Sequence, residues 1–319
     1  MTLYEGDLLK RQNFYYSLGE YREEMVSSTL TYKGWAIKGT AESSAAWIIQ
    51  RVVISGGVTT QQIAPQIGNA LSKTSQVWDD RATLFTAPPW GNAFCTSFDG
   101  VNDFVNFGDN LNYERNQAFS FSGWFYFNNT TTAMALFSKR SGSGGTPGIL
   151  FNMLSNGRLE GNLVNTATSN HARRQMTVAI LEKTLYHICW TYDGSSAATG
   201  LNLYLNGTLI TLSSVTNTLS ASILTTTDAM AGQFASSQYF SGKMDEITFW
   251  DTCLTSNEAS EIYNGGVIFD PSTHTKAVNL SHYWQAGDGD AYPTWNDSIG
   301  SINGTMTNMV ASELTRELP

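Results

Sequence analysis

The residues best placed to do chemistry in this chain are acidic. Asp245 lies in Lys243-Met244-Asp245-Glu246-Ile247-Thr248-Phe249. Read as a strand, alternation puts its carboxylate on the face of Ile247 and Phe249, the expected core face. A carboxylate pointing inward needs strong hydrogen bonds or a cation. Calcium takes about six to eight oxygens, which Asn side chains and backbone carbonyls can complete. The competing reading is a carboxylate satisfied by backbone N–H groups of a neighbouring loop. Asp288-Gly289-Asp290 resembles part of a calcium loop but lacks its further acidic spacing and terminal Glu, and reads as a polar turn. Glycoside hydrolysis needs two carboxylates flanking one bond. Beyond Glu246 the same strand face continues with Thr248 and Trp250, so no second acid follows and no enzymatic activity is expected.

Other reactive constellations are weaker. His171, His187, His274 and His282 show no metal-binding spacing. His187 and Cys189 share a strand face, as a nucleophile and its base would, but a half-buried strand with a satisfied imidazole explains the pair as well. No G-x-S-x-G turn exists for a serine hydrolase. The glycine-rich stretch from Ser141 to Gly148 has no following Lys-Ser/Thr, so it reads as a loop and not a phosphate cradle. Ligand recognition uses exposed aromatics and Asn/Asp rims on loops that join strands. The loops expected to carry it are 142–146, 165–173 and 195–199. Arg173-Arg174, the only adjacent arginine pair, would suit an acidic glycan or a neighbouring subunit, or sit solvated in its loop.

Composition narrows the fold that positions these groups. Hydrophobic residues make up 41% and charged residues 14% of 319, below the ~25% charge usual in soluble chains. With 12% aromatics, 9 of them Trp, the chain can bury a large core and is not intrinsically disordered. Its polar surface comes from Ser, Thr, Asn and Gly, a palette for strands and turns. Lys+Arg 18 against Asp+Glu 27 gives a net charge of −9 with no basic run, which disfavours nucleic acid as a partner. No stretch approaches the about 18 apolar residues of a spanning helix, so no membrane insertion is expected. The first residues carry acids where a secretion signal has a basic and then an apolar run. Cys95, Cys189 and Cys253 are odd in number and far apart, which fits free thiols in a reducing compartment.

Pro88-Pro89 stiffens the stretch 86–92, which reads as a linker between domains 1–92 and 93–319. In the first domain, residues 14–26 predict a helix, 32–37 and 46–54 predict strands, and 63–85 end in a second apolar return. In the second, strands are predicted over 118–127, 134–138, 148–154, 185–192, 201–205 and 240–250. Along 118–127, Phe119, Phe121, Phe125 and Phe127 share one face while Trp124 and Tyr126 share the other. Asn156-Gly157, Asp193-Gly194 and Asn206-Gly207 supply tight turns. Thr255 and Glu258 form a capping box opening a helix at 258–263, which Gly265-Gly266 ends. The pattern predicts an all-β, antiparallel β-sandwich with a small N-terminal β-rich module.

Five segments in order carry a resemblance: 98–108, 119–127, 185–194, 201–210 and 240–266. Together they resemble the laminin G-like, concanavalin A-like lectin jelly roll. That resemblance implies a two-sheet sandwich, a role in glycan or protein binding, and a structural calcium near Asp245, with Asp103 and Asp297 as further candidate ligands. The segment 280–308 is similar to the one that opens such domains, yet here it comes late. This implies a circularly permuted jelly roll in which 280–310 supply a strand, in preference to a fragment of a second copy. Residues 31–54, 78–85 and the closing segment are also similar to tailed-bacteriophage virion proteins of the tail fibre or capsid decoration type. That similarity implies an N-terminal module that docks to other virion proteins and to copies of itself, expected as a homotrimer. The sandwich is then displayed at the virion surface, after assembly in the host cytoplasm, for particle decoration or attachment to host-surface glycan. The alternatives are a bacterial carbohydrate-binding protein free of any particle, and a glycan-degrading enzyme.

Overall fold

A computed structural model of the chain describes residues 94–142 and 146–315, and before them the backbone of four strands. The chain divides into two compact units, Met1–Ala87 and Pro88–Pro319. In the first, β1 (Gly19–Ser27), β2 (Leu30–Ile37), β3 (Ile48–Ser55) and β4 (Val58–Ile63) form an antiparallel meander in chain order. The helix predicted over 14–26 is therefore a strand from Gly19 onward. Its ladder to β2 runs from Gly19↔Ile37 to Ser27↔Leu30, and this pairing outweighs a helical preference already weakened by Gly19, at about 1 kcal/mol. The apolar return at 63–85 and the linker at 86–92 lie outside the described residues, apart from Ile63 at the end of β4.

The second unit contributes nineteen strands among the described residues. They are β5 (Cys95–Asp99), β6 (Phe104–Asn106), β7 (Phe119–Phe127), β8 (Met134–Lys139), β9 (Gly148–Met153), β10 (Leu159–Thr166) and β11 (Asn170–Met176). Next come β12 (Leu185–Tyr192), β13 (Leu201–Leu205), β14 (Thr208–Leu209), β15 (Leu212–Asn217), β16 (Met230–Ala231), β17 (Gln233–Phe234), β18 (Gln238–Tyr239) and β19 (Ser241–Trp250). After helix α1 (Ser256–Tyr263) follow β20 (Leu280–Trp284), β21 (Thr294–Trp295), β22 (Gly304–Thr307) and β23 (Leu314–Thr315). One sheet has the order β15-β11-β10-β9-β8-β16-β6-β22-β21, the other β14-β13-β12-β7-β19-β5-β23, with β20 also on β19 and β17-β18 a separate hairpin. Every pairing is antiparallel, and the result is an all-β sandwich.

The core follows from alternation. Phe119, Phe121, Phe125 and Phe127 face inward from β7, as do Ile188, Trp190 and Tyr192 from β12 and Phe151 from β9. Phe121 stacks on Phe151 at 5.4 Å, and Phe151 on Trp190 at 5.4 Å. Gly161 makes room for this stack, since a Cβ there would lie 2.8 Å from the Trp190 ring. The closing segment enters both layers. β20 and β23 extend the sheet of β7, β22 and β21 extend the other, and Trp284 and Trp295 are fully buried in the shared core. On the outer face of β12 and β19, a second apolar cluster of Cys189, Tyr204, Trp250, Leu254 and Leu280 packs under α1 through Ala259 and Ile262. Glu258 reaches back to the Thr255 N–H at 2.7 Å, which completes the predicted helix start, and Asn264 in the left-handed region (φ 48°) ends the helix.

Two sequence expectations change here. Residues 165–173 are not one loop. Asn170–Met176 forms β11, leaving only 167–169 as the turn, so Arg173 and Arg174 sit on a strand. Arg174 donates to the carbonyls of Leu201 and Leu212 at 2.7 and 3.1 Å, and Arg173 stands 3.7 Å from Glu160. The second change concerns β19. A bulge lies between Asp245 and Thr248, with Glu246 at φ 53°. It lets both Met244 and Ile247 reach the core, and it moves Asp245 off the Ile247 face into register with Trp124.

Candidate functional site

The three carboxylates implied as calcium ligands do not converge. Among the described residues, no group of three or more His, Cys, Asp or Glu could hold a metal ion. Asp103 is buried just before β6, where its carboxylate accepts the Asp99 N–H at 2.8 Å. Burial, opposed by that bond but reinforced by Glu313 and Asp99, pushes its pKa up to about 6. Asp245 is buried beside the bulge and accepts the Glu246 N–H at 3.0 Å. Asp297 accepts from Tyr283, Ile299 and Gly300 N–H through Oδ1, and from His282 Nδ1 and Ile302 N–H through Oδ2. A carboxylate with five such donors has its oxygens committed, so the donor set around Asp297 fits a turn-closing role and not a cation. In the Asp288-Gly289-Asp290 turn, Asp288 accepts the Phe94 N–H and Asp290 accepts from Asn296, tying the tail to the start of the sandwich.

Burial raises the Asp297 pKa, but the bonds from His282, Gly300, Ile302 and Tyr283 outweigh it and hold the carboxyl at about 2. The fold therefore favours the ionised form. This stabilisation is present above about pH 4 and lost as pH falls through about 2. Full strength would be about 2 kcal/mol, and solvent screening reduces it to roughly 1–2 kcal/mol. Urea titrations of wild type and Asp297→Asn should show the wild-type advantage at about pH 6 shrinking by that amount at about pH 2. A constant difference across this range would contradict the assignment.

Asp297 has a further consequence through His282. An ionised carboxylate only accepts, so Nδ1 carries the proton toward it at 2.7 Å. Trp284 stacks on the imidazole at 5.5 Å and an interplanar angle of 12°, fixing the ring plane. Nε2 is left without a protein partner among the described residues, and His282 lines a groove of about 510 Å³. Leu111, Asn112, Tyr113, Gln117, Asp251 and Ser281 share that lining. Tyr113 stacks on Phe119 at 4.6 Å and donates its hydroxyl to Asp251 at 2.8 Å, with Ser281 Oγ 3.3 Å away. Asn112, Gln117 and Asp251 are exposed. The groove thus combines an aromatic ring, an exposed carboxylate, an imidazole held in one tautomer and two amides, a set that can pair with the hydroxyls of a polyol.

None of the groove residues was singled out from sequence as a ligand contact. Tyr113 and Asp251 stand 138 residues apart, and no local motif links them. The loop at 195–199 is tied internally, with Ser195 N–H on Asp193 and Ser196 N–H on Tyr192. Of 142–146, residues 143–145 lie outside the described set; Gly142 lines a second cleft. The His187–Cys189 pair is buried, and burial favours the uncharged form of both. Burial lowers the His187 pKa to about 3 between Trp124 and Tyr263, and burial raises the Cys189 thiol, reinforced by Cys253. Glu246, whose strand face carries no second acid in the sequence, is buried and accepts the Tyr283 hydroxyl.

Comparison with known proteins fits this geometry. Residues 99–260, half of the chain, match the Laminin_G_3 family, described as the concanavalin A-like lectin/glucanases superfamily. The chain belongs to that superfamily. No curated protein matches this lectin-like chain. Solved structures similar to it include a candidate carbohydrate-binding protein from Bacteroides ovatus, at 15% identity and a TM-score of 0.49 over 96% of this chain and 84% of that one. A heptameric SAP-like pentraxin from Limulus polyphemus is 19% identical with a TM-score of 0.41, over 54% and 82% of the two chains. The CBM40 module of a Ruminococcus gnavus sialidase is 12% identical with a TM-score of 0.39, over 52% and 96%.

Proposed function

We propose that this protein is a non-enzymatic, glycan-binding virion-surface protein of a tailed phage. The lectin-like sandwich binds host-surface carbohydrate in the Tyr113–His282 groove. The observation that carries the binding reading is the groove itself: an aromatic ring and directed polar groups, assembled on a superfamily scaffold of lectins and glucanases. The absence of a second acid on the Glu246 face supports binding without hydrolysis. The separate N-terminal unit, with its own four-stranded meander, supports a division between docking and display, with residues 1–92 joining copies as a homotrimer and meeting other virion proteins.

Two experiments test this. The full chain on a glycan array is expected to select hydroxyl-rich neutral or amino sugars through this groove, because it offers a carboxylate acceptor at Asp251; an array without binders refutes the attachment role. Mass spectrometry of purified particles should find the chain at a stoichiometry that is a multiple of its oligomer. Its absence from particles refutes the virion role while leaving glycan binding intact.

A further inference from the structure

A second cleft, of about 370 Å³, lies between the end of β8 and the β17–β18 hairpin, lined by Ser138, Arg140, Thr227, Met230, Gln233 and Ser236 among others. Among the described residues, Arg140 is its one cationic lining residue. The guanidinium lies over the Phe234 ring at 5.5 Å, and Nε donates to the Thr146 carbonyl at 3.1 Å. These two contacts fix its plane and occupy one edge. The two terminal nitrogens have no partner, and no carboxylate pairs with Arg140 among the described residues. Burial alone pulls its pKa down, with no acid compensating the charge. The neighbouring Lys139 differs in this respect, since Asp109 and the Thr227 carbonyl hold its ammonium at 2.9 Å each. A half-buried, oriented and uncompensated guanidinium is costly unless something completes it.

We infer that the Arg140 cleft binds the carboxylate of an acidic sugar. The geometry supplies what that ligand needs. The free edge of the guanidinium accommodates two parallel N–H···O bonds to one carboxylate. Ser236 accepts from Gln233 Nε2 and keeps its own O–H proton to donate. The volume is within the range for one sugar unit. With a net charge of −9, the protein repels polyanions, so the fit is to a single acidic unit in an otherwise neutral glycan and not to a heavily sulfated polymer. Asp109, paired with Lys139, belongs to the loop that continues into the Tyr113 groove, so both sites occur on the same sandwich; the inference rests on the glycan-binding reading only for the sugar nature of the ligand.

The test uses the full chain and ligand-observed NMR titration with glucuronate, galacturonate and sialic acid, beside the uncharged glucuronamide and inorganic sulfate. The carboxylate sugars are expected to bind, with glucuronamide weaker by about tenfold or more. Arg140→Gln should remove that preference, and Arg140→Lys should keep part of it, with unfolding temperatures unchanged. Equal binding of glucuronate and glucuronamide, or an Arg140→Gln chain that still prefers the acid, overturns the inference. Sulfate binding as well as the sugars do means an anion site without sugar recognition, which also overturns it. Tyr113→Ala should abolish neutral-glycan binding while leaving the glucuronate response, so failure of the groove reading and failure of this one are separable.

Discussion

Ending the chain at Asn279 is expected to leave no folded sandwich. The segment beyond it supplies β20 along the edge of β19, β22 beside β6 and β23 beside β5, so both layers lose strands at once. It also supplies Trp284 and Trp295, both fully buried. Trp284 packs 4.6 Å from Phe107 and donates its indole N–H to the Ile302 carbonyl at 2.8 Å. Trp295 meets Phe98 edge-on at 6.2 Å and donates to Thr96 Oγ1 at 2.8 Å. Losing a buried Trp costs about 3–5 kcal/mol. Two of them, with Met306, Met309 and two opened sheet edges, exceed the roughly 5–15 kcal/mol that holds a domain together. Circular dichroism in the aromatic region should be flat and the product should aggregate through its exposed strands. A soluble truncated chain with cooperative unfolding would show that the tail only decorates a sandwich already closed without it.

Within the sandwich, Trp190→Ala is expected to be the most damaging single substitution. Trp190 is fully buried, stacks on Phe151 at an interplanar angle of 10°, and fills the space above Gly161. Its removal leaves a cavity in a three-ring stack whose remaining members, Phe121 and Phe151, are held by both sheets and cannot collapse into it. The loss should be about 3–5 kcal/mol, visible as a fall of about 10 °C in Tm. Gly161→Val tests the same contact from the other side: its Cβ falls 2.8 Å from the indole, so it should also destabilise, by about 1–3 kcal/mol from overpacking. A Trp190→Ala protein with wild-type Tm would mean that the stack is not where the core is tightest.

The layers were readable in the sequence where each strand buries one face and exposes its other to a different environment. The four inward Phe residues of β7 and the alternating Leu201, Leu203 and Leu205 of β13 show this directly, and Asn206-Gly207 closes the turn expected of it. Strand β11 was hidden because Asn170–Met176 carries two arginines and lies near the sheet edge, where Arg174 can face inward and still find the carbonyls of Leu201 and Leu212. The side that Asp245 takes is not readable from alternation, because a bulge adds one residue to the period and inverts the faces across it; the register shift between Asp245 and Thr248 and the left-handed backbone of Glu246 mark it. The groove was the least legible part. It depends on Tyr113, Asp251 and His282 meeting at one end of the sandwich from three distant segments, and the third is oriented by Asp297, a residue singled out for a different role.

The most direct test of the account is the affinity of the chain's best neutral array glycan for wild type, Tyr113→Ala and Asp251→Asn, by calorimetry on the full chain. Asp251→Asn keeps the shape and the bond from Tyr113 but removes the charged acceptor, and should weaken binding about 10- to 100-fold. Tyr113→Ala should bring it below detection. Both variants should retain the wild-type fold by circular dichroism. Wild-type affinity in both would place carbohydrate recognition somewhere other than this groove.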